Sequence, residues 1–223
     1  MLSGADILRH RMQGSVIIEP FDLRNLCPNG YDVTLGRYHY REMAPLGQSR
    51  ECIFIGTTTQ RGLRPSTASN DRIFDPYDAD SVARVWSLRE AVNGVILVEP
   101  GETILAHTEE FVGSRSAAVP MMAARSSIGR CFIEVCKCAG IGDLGYFNRW
   151  TMEITNNSRF HALRLRVGYR VAQMVFFELS GAPTSGYVER GKYQDTSDLD
   201  ELMRAWAPEM MLPRLHLDRE ITT

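Results

Sequence analysis

The feature that most constrains this chain is a period-two alternation of apolar and polar residues, repeated in short runs. It appears in "GYDVTLG" (30–36) and in "VILVEPGETILAHTEEF" (95–111), where a Pro-Gly turn interrupts it. It returns in "CFIEVCKC", "RWTMEITN" and "ALRLRVGYRVAQMVFFEL". Successive side chains of a strand point to opposite faces, so each run buries one face and wets the other. Gly, Pro and Asn separate the runs at intervals expected of short strands joined by turns. The pattern predicts a mainly β fold, a distorted jelly roll or β-barrel with a few short helices. Helical signals are confined to "GADILRHRMQ" (4–13) and "SVARVWSLREAV" (81–92).

A length of 223 residues fits a single domain, 1–223, with a sizeable core. Residues 56–93 read as a loop or insert, because 56–80 are polar and rich in turn formers. The C-terminal segment 183–223 ends too apolar to be a free tail: Trp206, Met210, Met211, Leu212, Leu215 and Leu217 call for a surface, and the segment is expected to close over the site or dock on a neighbouring subunit. Charged residues make up 23% and the formal net charge is −2, which gives no general attraction to polymeric nucleic acid or acidic membranes. No run has the length of a membrane span. The start, "MLSGADILRHRMQG", carries charges where a secretory signal has its apolar stretch, so a cytoplasmic location is expected.

Cys27, Cys52, Cys131, Cys136 and Cys138 form no regular framework and read as reduced thiols, best explained as small buried hydrophobes. "HTE" at His107–Glu109 matches half of a zinc-deaminase signature, but its P-C-x-x-C half is absent.

Polar chemistry concentrates in residues 125–153. "RSSIGR" (125–130) sets two arginines around two serines, "CAGIGDLGY" (138–146) places three glycines around Asp143, and "RWTMEI" carries Glu153 within a strand pattern. Taken singly, the first is a surface turn with an ion pair, the second a glycine turn, and Glu153 a solvent-facing strand residue beside Thr151 and Thr155. Together and in this order they resemble the central signature of the dCTP deaminase family within the dUTPase-like superfamily. That signature is RSS-(L/I)-(A/G)-R, then A-x-x-I-D-x-G-aromatic, then a glutamate ten residues past the aspartate. The likeness extends outward: "SGADILRHRMQGSVIIEPF" resembles the opening helix and strand, and "GYDVTLG" the S-x-D-x-x-L-G strand. "LVEPGETILAHTEEFV", "GYRVAQMVFFELSG", "GYVERGKYQD" and "LPRLHLDR" each resemble a later family segment in turn.

The resemblance implies a dUTPase-like domain that deaminates dCTP to dUTP and ammonia without a catalytic metal, with Mg²⁺ accompanying the triphosphate. Carried over by position, Glu153 is the general acid–base, moving a proton from water attacking C4 to N3 and the departing ammonia. Arg130 is a fixed cation for developing charge, and Ser126 a hydroxyl near the water or the phosphates. Arg125 and Ser127 would contact phosphate oxygens. Cys138, Ala139 and Gly140 would read the base, and Asp143 the 3′-hydroxyl. Gln173, Tyr187 and Lys192 would reach base or triphosphate. The resemblance also implies a homotrimer with intersubunit sites and the possibility of dTTP as inhibitor.

Three positions depart from the family pattern. Thr196 stands where a second glutamine follows K-Y-Q, Asn148 where many members have glycine, and Gly142 where isoleucine precedes the aspartate. The leading expectation is dCTP deamination to dUTP. The alternative is a bifunctional enzyme continuing to dUMP and pyrophosphate, with a plain dUTPase or a non-catalytic nucleotide-binding protein behind both.

Overall fold

The computed structural model describes residues 1–44, 52–53, 73–137, 139–181, 186–189 and 191–218. Cys138, residues 56–72 of the expected excursion and parts of 183–223 lie outside the described residues. The strands are β1 (Val16–Glu19), β2 (Leu26–Cys27), β3 (Gly30–Glu42), β4 (Cys52–Ile53), β5 (Ile73–Phe74), β6 (Trp86–Glu90) and β7 (Val95–Val98). They continue with β8 (Thr103–Ser114), β9 (Ala118–Ala124), β10 (Ile133–Glu134), β11 (Phe147–Asn156), β12 (Leu163–Arg166) and β13 (Arg170–Glu178). The helices are α1 (Gly4–Met12), α2 (Ala79–Val85), α3 (Ser126–Gly129) and α4 (Leu199–Ala205). The mainly β expectation, with a few short helices, is met.

The chain divides into two compact units, one of Met1–Tyr40 with Leu88–Met211, the other of Arg41–Ser87 with Leu212–Thr223. In the first, strands run β10-β11-β8-β3-β13-β9, and β1 adds to β8 while β2 adds to β3. A separate antiparallel ribbon joins β12 to β7. Alternation explains the packing: Tyr31, Val33 and Leu35 of β3 are fully buried, as are Met152 and Ile154 of β11 and Met174 and Phe176 of β13. Asp32, Thr34, Glu153 and Gln173 fall on the opposite faces of those strands. α1 opens on Ser3, whose hydroxyl accepts from the Asp6 amide, and closes with Arg9, His10 and Arg11 in its last turn.

In the second unit, β4 and β5 pair in parallel, and Asp78 caps α2 by accepting from the Asp80 amide at 3.1 Å. This corrects the helix expected over 81–92. The Asp78 cap starts the helix earlier, and the chain turns to extended strand at Trp86, whose aromatic side chain favours β structure.

The buried-hydrophobe reading of the cysteines is also corrected: Cys131 is exposed, and Cys27 and Cys136 are half-buried. Cys131 lies in the turn after α3 rather than on the inward face of a strand. His107, by contrast, is fully buried. Its Nε2 accepts from the Tyr38 amide while Nδ1–H donates to the Thr108 carbonyl, and its ring lies against those of Trp206 and Tyr38. Burial pulls its pKa down to about 4, so it is a neutral core residue. α4 and Trp206 pack with Ile17, Phe111 and Phe147, so this part of the C-terminal segment docks on its own chain.

Candidate active site

The candidate residues fall into two groups, each organised around one part of the sheet. The first centres on Asp32 of β3. Its carboxylate is 3% exposed and takes three donors: Arg125 Nε at 3.0 Å and Arg170 Nη1 at 3.2 Å on Oδ2, and Gln173 Nε2 at 3.3 Å on Oδ1. Strand register sets this up, because Gln173 stands directly opposite Asp32 across β13–β3. Arg125 also donates Nη1 to the Arg170 carbonyl at 3.1 Å. Two nitrogens of its guanidinium are thus committed inward, which fixes where the third points. Ser126, Ser127 and Arg130 follow on and just after α3, all exposed. Among the described residues, none of their side chains forms a hydrogen bond or an ion pair.

Asp32 and Arg170 were not singled out as site residues from sequence. Alternation places Asp32 on the wet face of β3, and only the arginines packed over it bury it. The signal available was the acid at the centre of "GYDVTLG", on a strand otherwise apolar at alternate positions.

The second group surrounds the turn 139–146 and β11. The loop before Asp143 is laid on β9: Met122 N–H donates to the Gly140 carbonyl at 2.6 Å and Gly142 N–H to the Pro120 carbonyl at 2.9 Å. Gly140 is buried and Ala139 exposed. Gly142 follows from packing, since a Cβ there would sit 2.7 Å from the Trp150 ring. Trp150 fills the space that an isoleucine side chain would need. Asp143 is exposed and acts electrostatically on Tyr187, whose phenol is pushed up mainly by burial and further by the Asp143 charge. The Tyr187 ring lies 4.9 Å from that of Tyr146.

The segment carrying Tyr187 and Lys192 is held by buried polar contacts. Gln194, 3% exposed, accepts from the Phe147 amide at 2.8 Å and donates to the Gly145 carbonyl at 3.0 Å. Asn148 donates to the Tyr193 carbonyl at 3.0 Å. The asparagine that departs from the family pattern therefore has a structural task, since glycine could not make this bond. Thr196 bonds Glu201 at 2.7 Å and so belongs to the start of α4.

Glu153 lies at the centre of β11, opposite Leu105 of β8. It is half-buried, and its carboxylate has no hydrogen bond or ion pair among the described residues. On the same face Thr103 and Thr155 bond each other at 2.8 Å, and Lys137 donates to Thr103 at 3.0 Å. Gln173 belongs to the Asp32 group, to which it donates at 3.3 Å. Among the described residues, no group of three or more His, Cys, Asp and Glu side chains could hold a metal ion.

The dCTP deaminase-like family model matches residues 56–179. A dCTP deaminase, dUMP-forming, of Leptospira biflexa is 30% identical over 87% of this chain and 90% of its own length. A dCTP deaminase of Halorubrum lacusprofundi is 31% identical over 87% of this chain and 86% of its own. The crystal structure of the 2′-deoxycytidine 5′-triphosphate deaminase from Agrobacterium tumefaciens superposes with a TM-score of 0.53 at 18% identity. That match covers 78% of this chain and 47% of the longer one, and shows a shared fold. With its ordered motifs, its mainly β architecture and these matches, the chain belongs to the dCTP deaminase-like family.

Proposed function

We propose that this chain deaminates dCTP and carries the product on to dUMP: dCTP and water give dUTP and ammonia, then dUTP and water give dUMP and pyrophosphate. The observation that carries the first step is Glu153, a carboxylate on a long strand paired to β8, with no hydrogen bond or ion pair among the described residues. A general acid–base must be free to exchange a proton and fixed in position, and a strand side chain with an uncommitted carboxylate meets both needs. Glu153 takes one proton from water as it attacks C4 and delivers it to N3, then carries the second from the resulting C4 hydroxyl to the departing ammonia. Arg130 offsets developing charge, and Ser126 orients the water or the phosphates.

The second step, expected from sequence only as the alternative, is favoured by the relatives named dUMP-forming, Leptospira biflexa and Clostridium botulinum among them. Asp143, exposed beside Tyr187, binds the sugar in this reading, and Cys138, Ala139 and Gly140 line the base. Arg125 and Ser127 hold phosphate oxygens, Gln173, Tyr187 and Lys192 complete the pocket, and Mg²⁺ arrives with the triphosphate.

Ser126, Ser127 and Arg130 are exposed, and among the described residues their side chains form no hydrogen bond or ion pair with Glu153. That supports a site completed between subunits of a homotrimer. The chain is one dUTPase-like domain in this reading, with 56–93 as an excursion from it, and it works in the cytoplasm.

The test is to incubate the protein with dCTP and Mg²⁺ and separate the products. dUMP, pyrophosphate and ammonia are expected. Accumulation of dUTP alone would limit the enzyme to deamination, and turnover of neither dCTP nor dUTP would overturn the proposal.

A further inference from the structure

The first unit contains a cavity of about 1040 Å³ whose wall includes Arg24, Arg125, Arg164, Arg166 and Arg170. Among the described residues, the acids in that wall are Asp22 and Glu110. We propose that this cavity binds an oligophosphate, either pyrophosphate itself or the phosphate chain of a nucleotide, at a site separate from the one that carries deamination.

The sequence "RLRVGYR" (164–170) supplies three of those five arginines. Period two places Arg164 and Arg166 on one face of β12 and sends Leu165, 9% exposed, into the core. The turn at Gly168, with φ of +78°, then brings Arg170 round at the start of β13. Three guanidiniums thus converge from seven residues of chain.

Their existing partners leave capacity for an anion. Arg24 pairs with Asp22 in a bidentate contact at the rim. Arg125 and Arg170 share Asp32. Glu110 is committed to Thr34, whose amide and hydroxyl both donate to it at 2.9 Å, and burial raises its pKa. Arg166 lies over the Tyr169 ring at 5.4 Å, which occupies its face and leaves its N–H edge. Among the described residues, the Arg164 side chain has neither hydrogen bond nor ion pair. Planar forks with unfilled N–H positions around a concave wall match the several oxygens of linked phosphates better than a single carboxylate.

The cavity touches the candidate active site through Arg125 and Arg170, which share Asp32, and Nε and Nη1 of Arg125 are already engaged inward. Ser126, Ser127, Arg130 and Glu153 are absent from its wall. An anion held by Arg164 and Arg166 would therefore bind without displacing the residues that carry deamination.

The test uses the full chain at low ionic strength, with pyrophosphate and ATP as calorimetric probes against wild type and the Arg164→Ala/Arg166→Ala double variant. Both side chains are exposed, so folding should survive, and an unchanged thermal midpoint checks this. The double variant is expected to bind both probes at least tenfold more weakly, with kcat and KM for dCTP unchanged. Equal wild-type affinity for the two probes would identify the phosphate chain as the whole determinant. Tighter binding of ATP would identify a nucleotide. Unchanged probe binding in the double variant would overturn the proposal. So would a parallel rise in the KM for dCTP, which would assign the arginines to the substrate site, or loss of oligomer on size exclusion with probe binding intact. The binding arm stands even if dCTP proves not to be turned over.

Discussion

Asp32 of β3 and Glu153 of β11 lie two strands apart in one sheet, on either side of β8, yet the chain treats their carboxylates in opposite ways. Asp32 is 3% exposed and carries two arginines and a glutamine. Glu153 is half-buried and carries no polar partner among the described residues. Glu110, on β8 between them, is 3% exposed and bonded to the Thr34 amide and hydroxyl. Full satisfaction makes a carboxylate a fixed support, because moving it would strand buried donors. An unsatisfied carboxylate held on a rigid strand remains available to a substrate. The difference separates residues that hold the site in shape from the one proposed to do the chemistry.

The largest expected effect breaks the comparison at Glu153. Glu153→Gln should lower ammonia release from dCTP by about 10³-fold or more, within the range for loss of a general acid–base. Urea denaturation should show stability within about 0.5 kcal/mol of wild type, as for substitutions that break no contact. A large loss of stability would mean that Glu153 is structural after all.

Asp32→Asn should do the reverse. Removing the charge under Arg125 and Arg170 is expected to cost about 1–2 kcal/mol in urea, less than for a fully buried pair because both arginines are partly exposed. Arg125 then loses its anchor, so the KM for dCTP should rise more than kcat falls. A fall in kcat alone would assign Asp32 a part in the reaction instead.

Gln194→Ala tests the buried brace on the C-terminal segment. The Phe147 amide would be left without its acceptor, at a cost of about 1–3 kcal/mol. Protease sensitivity within 186–197 should rise, and unaltered sensitivity would count against the brace.

The smallest effect is expected at Glu110. Burial raises its folded-state pKa above the unfolded value, so its contribution to stability is fully present below the unfolded pKa and is lost as pH rises through the folded one. Glu110→Gln should therefore flatten the decline in stability above about pH 4.5. At pH 7 the variant should be as stable as wild type or more so, since glutamine can still pair with both Thr34 groups. Urea midpoints across that range would show it, and an unchanged slope would remove Glu110 from the account.

Much of the fold was legible in local pattern. Alternation in "GYDVTLG" and "RWTMEI" named the buried faces of β3 and β11 correctly, because side-chain direction in a strand depends only on the parity of position. Pattern failed at 86–92, where capping at Asp78 and β preference moved the helix and made a strand. It failed at Cys131 because thiol burial depends on where a turn falls. The ordered motifs from Arg125 to Glu153 were enough to identify the family, since residue type and spacing along the chain are what a family resemblance records.

Some relations were decided only by the fold, because they join residues far apart in sequence. Asp32 meets Arg125 and Arg170 through the β3–β13 register and the turn before α3. Asn148 and Gly142, odd against the family pattern, are explained by the Tyr193 carbonyl and the Trp150 ring. The sequence by itself determined the alternating strands, the family and the identity of the chemical groups. Tertiary structure decided which of those groups are satisfied, and a carboxylate's freedom to act depends on the neighbours that packing brings to it.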